Sequence, residues 1–393
     1  MNEILSDEIR ERIDSYVDRL KDQGVIRSPT VEKAFRKVPR HMLVERFFVG
    51  LKEFSTQAGY REVVIDPANP TEEDLELIYS HRALVTRLDP AGRPSSSTSM
   101  PALVADMLEL LRLEPGHKVM EIGAGTGYHA ALISEIVNSQ ESVVTVDIQP
   151  DVVDQAARLL ESTGYGDIKV LARDGFFGVD EEAPFDRIVA TVGLFDISPH
   201  WPRQLADSGE MLLPVYQGGA APLLRVRKEG ESLFGRAVGG SGFMPIQGEM
   251  QPEVQTSTPP HTEANLRVEQ RPNWNIGTGM SERWDFWFFL TASDSRASVL
   301  PVPGQDDGDT WSNWTFGLKE GSTSVVLGQD QLFLVGEADH LLARLNELHE
   351  LWESEGRPAA SDFDVEFVPK DSPTPRSALA IERRYHHQIL KLR

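Results

Sequence analysis

At 393 residues the chain is too long for one ordinary hydrophobic core, so two domains are expected. Its 39 Lys and Arg against 61 Asp and Glu leave a formal net charge of −22, which disfavours a phosphate-backbone partner. The absence of cysteine excludes disulfides, thiolate metal sites and cysteine nucleophiles.

The N-terminal pattern is helical. Ile9, Ile13, Val17 and Leu20 share one face of a helix over Glu8 to Leu20. Ser28-Pro29-Thr30 opens a second helix with Val31, Ala34 and Phe35 on its apolar side, closed by Val38-Pro39-Arg40-His41. Residues 51–75 are loop-rich and suggest a surface connection or a cover. Pro94 to Met100 is a polar run feeding an amphipathic helix with Leu103, Met107, Leu110 and Leu111 on one face. Ser99 either caps that helix or serves a substrate, and the sequence leaves both open. The charged start of the chain and the lack of a membrane-length apolar run lead us to expect a cytoplasmic protein without membrane partners.

The organising element is Lys118 to Ile133, KVMEIGAGTGYHAALI: a short strand, a glycine turn and a helix start. Glycines permit positive φ and close approach of a ligand, and free amides at the helix start favour polar or anionic groups. A second strand, Ser142 to Ile148, carries Asp147 at its tip, where a carboxylate can accept both hydroxyls of a ribose. A nicotinamide site wants a small residue where Tyr128 stands, so the acidic-I-G-x-G-x-G form points instead to S-adenosylmethionine. Glu121 then lies near the methionine ammonium. His129 either touches the cofactor pocket or lies on the helix surface.

Further strands are predicted over Ile168 to Ala172, Arg187 to Thr191 and Met211 to Val215, with a helix over Pro150 to Ser162. Alternating strand and helix patterns imply a parallel sheet, and Gly123 to Gly127, Asp147, Asp174 and Thr191 all fall at strand ends, where such sheets bind ligands. Shorter strands follow from Leu223, and the sheet is expected to end near Gly248. We divide the chain into a catalytic unit over 1–248 (a helical cap over 1–80, a core over 81–248), a proline-rich linker over 249–262 and an accessory α+β region over 263–393. In the last, Leu341, Leu345, Leu348 and Trp352 form a core stripe, while His386 and His387 suggest surface or sheet residues. No metal site is expected, because tetrahedral sites need more partners.

Several pieces together resemble the protein-L-isoaspartate O-methyltransferases: Val38-Pro39-Arg40-His41, Thr98-Ser99-Met100-Pro101, VMEIGAGTGYHAA, Asp174-Gly175 and Ala183-Pro184-Phe185-Asp186-Arg187-Ile188. The resemblance implies an α/β, class I S-adenosylmethionine-dependent methyltransferase with a Rossmann-like doubly wound sheet. It implies cofactor contacts from Thr98, Glu121, Gly123, Ala124, Gly125, Thr126, Gly127, Tyr128, Asp147, Ile148, Asp174, Gly175 and Thr191, with S-adenosylhomocysteine as product. Ser99 would lie beside the accepting carboxylate as the catalytic residue, and His81, Met100, Val192 and Gly193 on the substrate side.

Three positions depart from the family's usual pattern: Met100 within Ser-Met-Pro, His81 in place of an acid, and Thr191-Val192-Gly193-Leu194-Phe195 after the fourth strand. With the added C-terminal region and Trp274 to Met280, they are similar to a longer subgroup that methylates an aspartate of ribosomal peptide precursors (lanthipeptide, lasso or ester-linked), leading through a methyl ester to aspartimide or isoaspartate. General repair of isoaspartyl proteins is the alternative. Either way the partner is a peptide or protein bearing Asp or isoAsp, not a nucleic acid; oligomeric state is not readable.

Overall fold

The computed structural model describes residues 6–50, 59–252, 266–271, 276, 280–303, 314–328, 330–372 and 379–393. Helices α1 (Asp7–Asp22) and α2 (Pro29–Lys37) open the chain, each capped by a serine hydroxyl, Ser6 and Ser28. Strands β1 (Arg46–Gly50) and β2 (Tyr60–Val64), helix α3 (Glu72–Ile78) and strands β3 (Leu84–Leu88) and β4 (Pro94–Thr98) follow. The four strands pair antiparallel in the order β2-β1-β3-β4. The N-terminal unit is thus helix plus sheet rather than helical alone. Its β4 is the polar run PSSST, whose inward face carries hydroxyls: Ser96 and Thr98 are buried, and Thr86 donates to Ser96 at 3.4 Å.

The alternating core then runs α4 (Pro101–Leu111), β5 (Val119–Ile122), α5 (Tyr128–Val137), β6 (Val143–Asp147), α6 (Pro150–Ser162), β7 (Lys169–Ala172), β8 (Phe185–Ala190), a short α7 (Trp201–Gln204), β9 (Leu205–Pro214), β10 (Ala221–Glu229) and β11 (Ser232–Ser241). Strands β7, β6, β5, β8 and β9 are parallel neighbours, as expected of strand–helix alternation. β5 is buried along its whole length, with Val119 in one apolar cluster and Met120 and Ile122 in another. On one face α1, α2, α4 and α5 pack Val17, Phe35, Leu108 and Leu132 together.

The C-terminal region comprises β12 (Leu266–Gln270), α8 (Met280–Ser293), β13 (Ala297–Pro301), β14 (Trp314–Glu320), β15 (Thr323–Leu327), β16 (Gln331–Val335), α9 (Asp339–Ser354), β17 (Phe363–Pro369), β18 (Leu379–Glu382) and β19 (His386–Leu392). Among the described residues, β12 to β16 make a separate antiparallel sheet of five strands. The last three strands do something different: β17 pairs with β11 through Leu233↔Phe367, Phe234↔Glu366 and Gly235↔Val365, and β19 and β18 follow, completing a sheet of ten. The main sheet therefore does not end near Gly248 but continues across the expected division at 248–263. One apolar cluster likewise holds Met120 and Ile188 together with Trp287, Leu341 and Phe367. Most of the expected linker, and Trp274 to Met280 apart from Ile276 and the backbone of Met280, lie outside the described residues. Among the described residues no helix is long and apolar enough to cross a membrane.

Candidate active site

A cavity of about 1060 Å³ opens at the carboxyl ends of the parallel strands, between the N-terminal sheet and the C-terminal region. The glycine turn forms its floor. Gly123 has φ 103°, and a Cβ there would lie 2.6 Å from Thr191 Oγ1, so only glycine lets β5 and the β8 tip converge. The backbone of β4 passes directly above: a Cβ on Gly125 (φ 53°) would lie 3.1 Å from the Ser97 carbonyl oxygen. Gln149 ties the same roof down by donating from Nε2 to the Ser95 carbonyl at 3.0 Å.

Thr98, Ser99, Glu121, Gly123, Ala124, Gly125, Thr126 and Tyr128 line this cavity, as do Asp147, Ile148, Gly175, Thr191 and Val192. His81 and Met100 line its exposed mouth. Gly127, Asp174 and Gly193 do not line it. Gly127 is the N-cap position of α5, with its space closed by Leu160. Asp174 caps a turn, with Oδ1 accepting from the Phe176 amide at 2.9 Å and Oδ2 from the Glu249 amide at 2.8 Å. Each oxygen thus accepts one backbone amide and keeps a second lone pair, and Asp174 itself stands just outside the lining that its neighbour Gly175 joins. Gly193 lies beneath Tyr216, whose Cε2 would be 2.2 Å from an added Cβ; Tyr216 takes its place on the cavity wall.

Polar groups in the floor are partly committed and partly open. Glu121 is fully buried and accepts from Thr145 Oγ1 at 2.7 Å, while its other oxygen lies 2.6 Å from His129 Nδ1. That pair fixes His129 inside the cavity rather than on the helix surface. His129 Nε2, Thr126 Oγ1 and Gln149 Oε1 are buried without a partner among the described residues. Asp147 accepts from the Gln149 amide at 3.1 Å and the Gly125 amide at 3.4 Å, and burial pushes its carboxyl above the usual carboxylate range. Three orphaned polar atoms and a cation-free carboxylate around a glycine turn fit a ligand with an amino-acid end and a ribose, since unmet buried polar groups are costly.

Ser99 is not the helix cap. Met100 occupies that position with no side-chain bond, so the Ser99 hydroxyl is not committed to α4. The loop around it is held from behind by Arg40, which is fully buried and donates to the carbonyls of Ile78 at 2.8 Å and Ser99 at 3.0 Å. Beside it, His41 Nδ1 shares a 2.7 Å hydrogen bond with the Tyr79 hydroxyl, and burial lowers the imidazole to about 4, leaving it neutral near pH 7.

The far wall is braced by the C-terminal turn. Arg383 donates to the carbonyls of Phe195 at 3.1 Å and Tyr216 at 2.7 Å, and Phe195 and Tyr216 stack at 4.8 Å. Asp196 receives the Tyr385 amide and lies 2.8 Å from His386 Nδ1, so His386 is a buried tie and not a surface residue. Sequence reasoning missed these contacts, because each joins residues distant in the chain.

The parallel sheet, the glycine turn and the acid on the neighbouring strand tip define a class I S-adenosylmethionine-dependent methyltransferase. Comparison with known proteins narrows this. Residues 76–251 match the family model of protein-L-isoaspartate(D-aspartate) O-methyltransferase. A protein-L-isoaspartate O-methyltransferase of Methanopyrus kandleri is 39% identical over 242 residues, covering 61% of this chain and 92% of that protein. One from Dictyoglomus thermophilum is 32% identical over 233 residues, covering 59% and 90%. The chain belongs to this family. A solved structure named protein-L-isoaspartate O-methyltransferase shares the fold over 96% of this chain and 98% of its own, with a TM-score of 0.53 and 22% identity. That likeness of fold extends through the C-terminal region.

Proposed function

We propose that this chain transfers the methyl group of S-adenosylmethionine to the side-chain carboxylate of an isoaspartyl residue in a peptide or protein, as the names of its relatives suggest. The observation that carries this reading is one cavity joining the glycine turn and Asp147 to the uncommitted hydroxyl of Ser99 at its mouth. In this proposal the glycine turn from Gly123 to Thr126 and the Glu121–His129 pair face the methionine end, Asp147 accepts the ribose hydroxyls, and Ile148 and Gly175 flank the base. The cofactor supplies an electrophilic methyl group. The acceptor is already ionised at neutral pH, so no general base is required. Its oxygen forms the new O–C bond while the S–C bond breaks with the electron pair left on sulfur. Ser99 donates to the other carboxylate oxygen and holds the first in line, which is the main work left to the protein. The backbone amide following the ester can then displace methanol, closing a succinimide that water opens.

Incubation with S-adenosylmethionine and a short isoaspartyl peptide should yield S-adenosylhomocysteine and a base-labile methyl ester. Cofactor binding without methylation of any isoaspartyl or aspartyl peptide refutes the reading and leaves a silent binding module.

A second reading, methylation of an aspartate in a macrocyclised ribosomal peptide, draws support from the three substrate-side departures. His81 and Met100 line the mouth and Val192 the wall beside Tyr216, so all fall where an acceptor would enter. It predicts a methyl gain followed by methanol loss on a constrained precursor, with ordinary isoaspartyl peptides left untouched. We favour the general isoaspartyl reading, because the relatives that match carry that name.

A further inference from the structure

Beyond Thr191 and Val192 the cavity continues as an arm under the C-terminal region. Tyr216 begins it, with its ring seated over Gly193 and its hydroxyl donating to the Phe243 carbonyl at 2.7 Å. Gly219 follows, where an added Cβ would meet Val299 at 3.2 Å; Val299 faces Phe316 across the β13–β14 pair. Trp284 closes the arm over Gly240, 3.0 Å from an added Cβ there, and stands 4.6 Å from Trp287, which packs on Phe316 at 5.3 Å. Three glycines thus admit three bulky side chains, and the arm's lining at 216, 219–221, 240–247, 284, 299 and 315–316 carries no charged side chain.

The position of the arm in the sheet assigns its occupant. Strands run β9-β8-β5-β6-β7, and the residues suited to a cofactor sit on the tips of β5 and β6 and after β7. The arm lies across β8 from them, at the end of β9 and the start of β10, which is the acceptor side. The whole cavity, about 1060 Å³, also reaches the top of the ~300–1,000 Å³ that one small ligand usually occupies. Trp284, Val299 and Phe316 come from beyond residue 251, where the family match ends.

We propose that this arm is a subsite for a large apolar side chain, aromatic or branched aliphatic, on the peptide whose carboxylate is methylated. The proposal rests on the carboxyl-methylation reading above. It follows from continuity with the acceptor end of the cavity and from an uncharged aromatic lining that rewards burial of apolar surface and excludes an unpaired charge.

The test uses the full chain and isoaspartyl hexapeptides with Phe, Leu, Ala or Lys at each of the two residues on either side of the isoaspartate. At one position kcat/KM should rise about 10-fold or more from Ala to Phe or Leu, as filling an apolar pocket typically gives, and fall for Lys. Val299→Trp, which fills the arm, and Phe316→Leu, which loosens it, should each shrink the Phe-to-Ala ratio, with S-adenosylhomocysteine affinity reporting that each variant folds. Equal kcat/KM across the set, or a preference for Lys, overturns the subsite while leaving methylation standing. If no peptide is methylated the reaction reading fails instead, and calorimetry with the S-adenosylhomocysteine-loaded protein decides the arm: tighter binding of the Phe peptides upholds it, and equal affinities overturn it.

Discussion

Replacing Arg383 by methionine keeps an extended side chain but removes the cation that joins the C-terminal turn to the acceptor wall. The guanidinium donates to two carbonyls, Tyr216 at 2.7 Å and Phe195 at 3.1 Å, and to Gln388 Oε1 at 2.9 Å. Burial lowers it to about 10, with Asp196 opposing that shift, so it remains charged near neutral pH. Orphaning the two carbonyls at about 1–3 kcal/mol each gives a loss of about 2–6 kcal/mol, which calorimetry should register as several degrees in Tm. Stacked Phe195 and Tyr216 then lose their common anchor, and displacement of the wall by a fraction of an ångström to an ångström should lower kcat/KM for an isoaspartyl peptide by about 10–100-fold. S-adenosylhomocysteine affinity should change by less than about 0.5 kcal/mol, because its expected contacts lie beyond β8. Arg383→Lys, which can keep one carbonyl bond, should fall between. Arg384→Ala is the neighbouring control: it removes exposed contacts with the Glu249 carboxylate and carbonyl and with the Tyr385 ring, the ion pair being worth about 0–1 kcal/mol, and touches neither wall carbonyl. Equal losses in peptide turnover and cofactor affinity, or none in either, would refute a bracing role.

Ser99→Ala should cut kcat sharply without changing Tm or S-adenosylhomocysteine affinity, since Ser99 caps nothing; a fall in Tm with unchanged turnover would restore the capping role. Asp147→Asn should weaken cofactor binding by about 1.5–3 kcal/mol, the worth of a hydrogen bond to a charged group, as measured by calorimetry. The same carboxyl is raised by burial, so its charge costs stability as pH rises from the ordinary carboxylate value through the raised one; the ligand-free Asn variant should therefore be at least as stable as the parent at neutral pH. His41 shows the opposite sign. Its folded value of about 4 lies below the ordinary 6.5, so the unfolded chain binds the proton first and stability falls as pH drops through that window, by about 3 kcal/mol in all. Denaturant titrations between pH 7 and 4 should show this loss, and His41→Gln should flatten it.

What the sequence made legible is what short stretches of chain decide. A strand, a glycine turn and a helix start are contiguous, so Gly123 to Gly127 and the acid at the next strand tip could be placed before any tertiary contact was known. β4 escaped because PSSST has no apolar alternation; its inward face is built from hydroxyls that pair with β3. Asp174 was found at a strand end, but spacing cannot reveal that the distant Glu249 amide donates to it. The continuation of the main sheet into β17–β19 was hidden for a related reason. Alternation tells which face of a strand is buried and never which distant strand completes its hydrogen bonds, so Val365 reads the same whether or not it meets Gly235. One signal did exist. Gly193, Gly219 and Gly240 stand in or beside strand-like runs, and glycines there mark places where something large approaches the backbone. Their neighbours proved to be Tyr216, Val299 and Trp284. The glycines of one half of the chain thus recorded, as missing side chains, the wall that the two halves build together.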